Sequence, residues 1–343
     1  MDEDFTGEEV PEGRDERLPE RPLRWQPYGK PALYEVTTRT LGGNFFLRPD
    51  RDCVEIVDGV LGRALHKFPK IGLVAYWFLS NHFNLLTLAP NAHELSGFMN
   101  HVNSNIARKL GRLRGQRERF WSRRYRAIIV GPGRWIQVNR LKYLIAQGTK
   151  ENLVGSPAQW PGANCLRALT EGAPRVGTWF DDSAAYRARK RGENPKRYDH
   201  AEKYPITLVP LPCWEGFSPK ERQARAREVV AEVEKEASAA RRASGRRPLG
   251  VQAVLAQDPH DHPAQSSRSP APLSHGNRAE RQWFKNLYWK FVRAFRQASA
   301  RLREGILEAI DEFPAGCFLP RFPFHVRRRF GSSTTDRPTA QHA

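Results

Sequence analysis

From Pro31 onward the apolar positions switch between a period of two and a period near 3.6, and the switches mark out elements. ALYEVTTRT (Ala32 to Thr40) is β-branched and aromatic and predicts a strand, whereas Cys53 to Phe68 carries Val54, Val57, Leu61, Leu65 and Phe68 at helical spacing. IGLVAYWFL (Ile71 to Leu79) is a nearly continuous apolar strand, Ser80-Asn81 is a turn signal, and HFNLLTLA (His82 to Ala89) is the returning strand of a hairpin. His93 to Leu113 sets Leu95, Phe98, Met99, Val102, Ile106, Leu110 and Leu113 on one stripe, with Asn103, Arg108, Lys109 and Arg112 outside it, which predicts an amphipathic helix. RYRAIIV (Arg124 to Val130) is strand-like and Gly131 to Gly133 ends it. Arg134 to Gln147 is a further helix with Gly148 as its C-terminal cap.

This order predicts an α+β fold over residues 31–170: a ferredoxin-like split βαβ unit, an antiparallel sheet with helices on one face. The flanks read differently. Residues 1–30 are charged and rich in Pro and Gly, too poor in apolar side chains to offset the entropy of ordering, and are expected to be a flexible arm. Residues 171–247 are expected to be a basic helical extension, with Pro219 to Arg247 its clearest helix. A disordered linker rich in Pro, Ser, Gln and His is expected over 248–276. Residues 277–343 then supply a C-terminal amphipathic helix and tail, striped by Phe284, Tyr288, Phe291 and Phe295 through Ile310. The C-terminal region is thus mostly helical and partly disordered.

Charge narrows the partners. Lys and Arg number 56 against 37 Asp and Glu, a formal net charge of +19, which favours polyanions and nucleic acid first among them. The four cysteines, Cys53, Cys165, Cys213 and Cys317, lie outside metal-ligand spacing of one another, which argues against a zinc ribbon or a disulfide framework and fits a reducing cytoplasm. The acidic, polar N-terminus does not read as a secretory signal, and no apolar run approaches the roughly 20 residues that span a bilayer. The expectation is a cytoplasmic, nucleoid-associated protein with no membrane partner.

Two short stretches carry chemistry. In SNHFNLL, His82 and Asn84 are two apart on a strand and project to the same face, where an imidazole and an amide oxygen can hold a divalent cation. On the helix from Arg134, the apolar stripe is Val138, Leu141, Leu144 and Ile145, while Asn139, Tyr143 and Gln147 align at intervals of four on another face. A phenol beside a cation site suits attack on a phosphodiester, since the cation withdraws charge from the phosphate and local electrostatics ease deprotonation of a group whose free pKa is about 10.

Taken together, the segments from Tyr34 to about Leu169 resemble the REP-associated, single-tyrosine transposases of the HUH nuclease superfamily. The resemblance rests on YEVTTRT and LRPD, on FLSNHFNLLTLAP, on LSGFMNHVNSNIARKLGR, on FWSRRYRAIIV, and on LKYLIAQGTKENLV with WPG following. It implies a nickase and strand-transferase acting on single-stranded or hairpin DNA through a 5′-phosphotyrosine, with Tyr143 as nucleophile. It further implies that His82 and Gln147 hold Mg²⁺ or Mn²⁺, together with Asn84, which stands where the family has a second histidine. An Asn oxygen serves a hard cation with lower affinity than the family's ligand set. A homodimer is expected from the family alone. The sequence has no G-x-x-x-x-G-K-[ST] phosphate loop, and rejoining from a phosphotyrosine needs no nucleotide cofactor.

Arg112, Arg119, Trp121, Arg123, Arg124 and Arg126 interleave cations with aromatics, the pattern that grips a phosphate backbone and stacks bases; the alternative is a solvated loop with core aromatics. Tyr186 to Tyr198 and Val326 to Phe330 are further basic segments. His260-Asp261-His262 spells a metal-like pair, but in a stretch with no rigid shell to orient it. Two other function classes are carried: a catalytically impaired, structure-specific DNA-binding protein with Asn84 marking lost chemistry, and an RNA-binding ferredoxin-like domain. The basic, aromatic last helix could also lie on a membrane surface, although packing on protein or DNA is more economical.

Overall fold

β1 (Ala32–Arg39), α1 (Arg51–Lys67), β2 (Gly72–Phe78), β3 (His82–Ala89), α2 (Ala92–Leu113) and β4 (Arg126–Val130) follow one another in a computed structural model, described over residues 31–264, 272–315, 317 and 319. β1 lies between β3 and β4 and is antiparallel to both, and β3 is antiparallel to β2. Strands β1 and β2 are therefore parallel with β3 inserted between them, the split βαβ arrangement of an α+β fold. Side chains stop the backbone where the pattern changes. Asp50 caps α1 by accepting from the Cys53 amide at 2.9 Å, and Asn91 caps α2 by accepting from the Glu94 amide at 2.8 Å.

The core is built from the predicted stripes. Val57 and Leu61 of α1, Leu73 of β2, Leu85 of β3, and Phe98, Val102 and Ile106 of α2 are fully buried. Each such side chain contributes roughly 1.5–3 kcal/mol of transfer free energy. Lys109, expected outside the α2 stripe, is also buried: its ammonium donates to the Phe180 carbonyl at 2.6 Å and to Asp182 at 2.8 Å, which compensates a charge that periodicity would place in solvent.

The chain continues through α3 (Arg134–Lys150), α4 (Leu166–Glu171), β5 (Val176–Phe180), α5 (Asp182–Lys190), β6 (Ala201–Pro205), α6 (Pro219–Ser244), α7 (Val251–Leu255), β7 (Ser274–His275) and α8 (Arg278–Arg303). Several sequence expectations are corrected here. Gly148 does not cap α3; the helix runs on to Lys150 and ends at Glu151. The glycine instead allows close packing, since a Cβ there would stand 3.2 Å from Val154 and 3.3 Å from the Trp160 ring.

Residues 171–247 are not helical throughout, because β5 and β6 form a second, two-stranded antiparallel sheet against α1. The polar AEKYP of β6 gives no alternation by which to find it. Residues 248–264, expected in the linker, are held by backbone bonds from Leu249 to Asn152, from Gly250 to Leu153 and from Phe45 to Asp261, each 2.9 Å. Val254 of α7 is buried beside them. Residues 265–271 lie outside the described set, as do the arm over 1–30 and Val326 to Phe330. β7 then joins the main sheet parallel to β4, which makes it a mixed, five-stranded sheet ordered β2-β3-β1-β4-β7. The last helix ends at Arg303 rather than running to Ile310, because Gly305 takes a left-handed φ of 89° before a short 3-10 turn, Leu307–Ile310.

The described residues divide into two compact units, one ending at residue 290 and one beginning at residue 291. In the second, the Phe295 and Phe313 rings meet at 5.2 Å between centroids and Arg301 pairs with Glu312. The site described next lies wholly in the first.

Candidate active site

Cross-strand partners share a face of the sheet, so Glu35, Thr37 and Arg39 of β1 stand with Leu86, Asn84 and His82 of β3. Helix α3 packs against β2, β3 and β4, and its Arg140 reaches Glu35, so it covers this face. The opposite face carries Phe83, against which Trp121 lies edge-on at 5.7 Å while its indole N–H donates to Asn103 of α2 at 2.9 Å. Helix α2 thus belongs to the opposite side, and α3 is alone in bringing a predicted tyrosine toward His82.

His82 opens β3 directly after the turn, and the turn is pinned: the Asn81 carbonyl accepts from both the amide and the hydroxyl of Thr40 at 2.9 Å. The Asn81 side-chain oxygen sits 2.7 Å from His82 Nδ1. As acceptor it places the proton on Nδ1 and leaves Nε2 as the free lone pair. Burial, with the charge of Arg39 assisting and Gln147 opposing, brings the His82 pKa down to about 4, so the ring is neutral at pH 7.

Gln147 is buried on α3 and interacts with this same imidazole. Neither its amide nitrogen nor its oxygen completes a well-formed hydrogen bond within the described chain. A buried amide with both polar atoms underused is costly unless a further partner is bound there. Asn84 is buried two residues beyond His82, and its side-chain oxygen accepts from the Thr37 hydroxyl across the β1–β3 pair, keeping one lone pair to offer.

One imidazole nitrogen and two amide oxygens converge on one face, a donor set that suits a hard cation keeping several waters or phosphate oxygens as its other ligands. The set carries no carboxylate, and Arg39 adds positive charge nearby. Among the described residues, no group of three or more His, Cys, Asp or Glu side chains could hold a metal ion.

Tyr143 lies one turn before Gln147 and is 37% exposed. Its ring lies under the Arg140 guanidinium, 4.1 Å from the centroid, with Lys150 Nζ at 5.0 Å. Burial raises the phenol pKa, the Glu35 and Glu151 charges add to that, and Arg140 opposes it. Arg140 is held in turn by the buried Glu35 carboxylate: Nε stands 2.8 Å from Oε2, and Nη2 donates to Oε1 at 3.1 Å. His275 of β7 brings Nε2 to 2.8 Å from the same Oε2. Burial would raise the Glu35 pKa, but His275 and Arg140 outweigh it and hold the carboxyl below its ordinary value.

Sequence reasoning missed this trio. A glutamate between Tyr34 and Val36, inside the apolar run that opens β1, was a signal, and Arg140 at three before Tyr143 another; His275, in a Pro/Ser-rich stretch, gave none.

Arg112, Arg119, Arg123, Arg124 and Arg126 are exposed around the α2–β4 connection. Trp121 is half-buried and engaged with Asn103, Phe83 and Phe120, a packing role. Elsewhere, Arg189, Lys196 and Arg197 line a cavity of about 420 Å³ with Lys109, Arg112 and Phe180. His260 contacts the Arg114 carbonyl at 2.8 Å and the Phe46 ring, a structural position away from His82. No helix among the described residues is long and apolar enough to cross a membrane.

No family model matches the chain, and no curated protein matches it. Among solved structures, the chain is similar to one described as "Structure of the REP associates tyrosine transposase bound to a REP hairpin". The identity is 12%, the match covers 52% of this chain and 96% of that one, and the TM-score is 0.34. A likeness that loose carries no residue role, so the roles below stand on the geometry above.

Proposed function

We propose that the protein is a DNA nickase and strand-transferase of the single-tyrosine kind, acting on single-stranded, hairpin-bearing DNA. The observation that carries this is the shared face of His82 and Asn84 on β3, covered by α3, whose buried Gln147 has both side-chain polar atoms unpartnered among the described residues, one helical turn from Tyr143. The exposed arginines near Arg123 provide the positive surface that a single strand follows.

The residues that would hold Mg²⁺ or Mn²⁺ are His82 through Nε2, Asn84 through Oδ1 and Gln147 through Oε1. When bound, such an ion draws charge from the scissile phosphate. Tyr143 Oη gives up its proton to solvent at its exposed edge and attacks phosphorus; the bond to the 3′ oxygen breaks, and that oxygen leaves as a hydroxyl after taking a proton from water. The product is a 5′-phosphotyrosine, and the reverse attack by a 3′-hydroxyl rejoins a strand without a nucleotide cofactor.

Incubating the protein with labelled hairpin-bearing single strands in Mn²⁺ or Mg²⁺, on a denaturing gel, tests this. A slow-migrating covalent band that needs metal and is lost in Tyr143→Phe is expected; binding without any band in the wild-type protein counts against it. One observation favours the alternative of a structure-specific DNA-binding protein without chemistry: the donor set carries no carboxylate, and Arg39 adds positive charge beside His82. That alternative predicts a covalent band only in Asn84→His.

A further inference from the structure

The segment after residue 271 contributes to the tyrosine site. Ser274 and His275 pair with Ile129 and Val130 of β4, and Gly131 donates to the His275 carbonyl at 2.8 Å. Directly beyond, Asn277 and Glu280 cap the start of α8 reciprocally: the Asn277 amide donates to Glu280 Oε2 at 2.7 Å, and the Glu280 amide to Asn277 Oδ1 at 2.8 Å. Both flanks of His275 are thereby held, and its ring reaches Glu35 at 2.8 Å.

Glu35 is 5% exposed, and its carboxylate faces the Arg140 guanidinium on one side and the His275 ring on the other. The Arg140 guanidinium donates from Nη2 to Glu35 Oε1 and brings Nε to 2.8 Å from Oε2, while its centre stands 4.1 Å from the Tyr143 ring centroid. A lysine could meet the charge but not both the fork and the ring. The groups facing Tyr143 are then Arg140 and Lys150 on the positive side and Glu35 and Glu151 on the negative side, with His275 behind Glu35.

We infer that Glu35, Arg140 and His275 form a positioning relay for Tyr143, in which β7 braces Glu35, Glu35 orients Arg140, and Arg140 fixes the ring and stabilises its phenolate through the ring face. This rests on Tyr143 being the nucleophile. It assigns the short β7 strand a part in the site, although it lies far along the chain from Tyr143.

The test is single-turnover formation of the covalent band at saturating hairpin DNA, measured beside the dissociation constant for the same DNA. Arg140→Gln is expected to slow the band about 100-fold, the order of loss from a small misplacement of a reacting group, with binding changed less than about twofold. Arg140→Lys should recover part of that loss, and His275→Asn should slow the band several-fold. Arg140→Gln leaves the buried Glu35 with only His275 beside it, so the double variant Glu35→Gln/Arg140→Met, which removes both charges, keeps the test separate from folding; it is expected to remain slow. A double variant at the wild-type rate, or rate and affinity falling together in Arg140→Gln, overturns the relay while the nickase stands. Absence of a band in the wild-type protein overturns both.

Discussion

The Thr37 hydroxyl donates to the Asn84 side-chain oxygen across the β1–β3 pair, orienting the amide that shares the His82 face of β3. An amide held this way presents its remaining lone pair to the face shared with Gln147. Outer partners of this kind typically affect metal affinity by 10–100-fold. Thr37→Val is therefore expected to raise the Mn²⁺ concentration that gives half-maximal covalent capture by about tenfold, and Asn84→His to lower it by a similar factor. A metal titration of the band intensity reads both; unchanged midpoints in both variants would remove Asn84 from the cation site.

The side chains of Arg123 and of Arg126, which opens β4 opposite Thr37, are exposed, so they should contribute to binding rather than folding. Replacing both with Ala is expected to weaken single-strand binding and to flatten the slope of log affinity against log salt by about 1.4, at roughly 0.7 for each phosphate no longer neutralised. Fluorescence anisotropy from 50 to 300 mM salt, about that range, measures the slope, and an unchanged melting temperature separates the effect from stability. An unaltered slope would place the DNA path elsewhere.

His101 packs against Phe68 and Trp179, and its Nε2 is buried with no partner among the described residues. Burial, with Lys67, Arg63 and Arg108 adding to it, lowers its pKa from the ordinary 6.5 to about 4. A folded-state pKa below the unfolded one means that the stabilising contribution is complete above pH 6.5 and lost as pH falls from 6.5 toward 4. The slope from this one group is at most about 1.4 kcal/mol per pH unit. His101→Gln should flatten the fall in unfolding free energy over that window. Urea melts at several pH values supply the measurement, and an identical slope in the variant would contradict the assignment.

Helix α1 and strand β5 meet backbone to backbone at two glycines. A Cβ on Gly177 would stand 1.9 Å from the Asp58 carbonyl oxygen, and one on Gly59 would stand 2.1 Å from that of Thr178. Neither backbone can yield without separating the helix from the small sheet. Gly177→Ala is expected to cost about 3 kcal/mol or more, at the upper end for overpacked sites. Gly216→Ala, where a Cβ meets nothing within 4 Å, should change stability by less than about 0.5 kcal/mol. Equal melting temperatures for the two variants would refute the close approach.

The βαββαβ order, the turn before His82, the common face of His82 and Asn84, and the placing of Tyr143 and Gln147 one helical turn apart are all legible along the chain. These follow from local periodicity, because the side-chain direction repeats every two residues on a strand and about every 3.6 on a helix. Folding is what brings α3 and its Gln147 over the face of His82, packs Trp121 on Phe83, buries Lys109 on Asp182 and carries α3 past Gly148. It also decided that residues 248–264 pack against the sheet domain and that His275 and Arg140 converge on Glu35. Each of these depends on a partner remote in the chain, and its free energy comes from compensating a buried polar or charged group, or from packing with no local repeat to announce it.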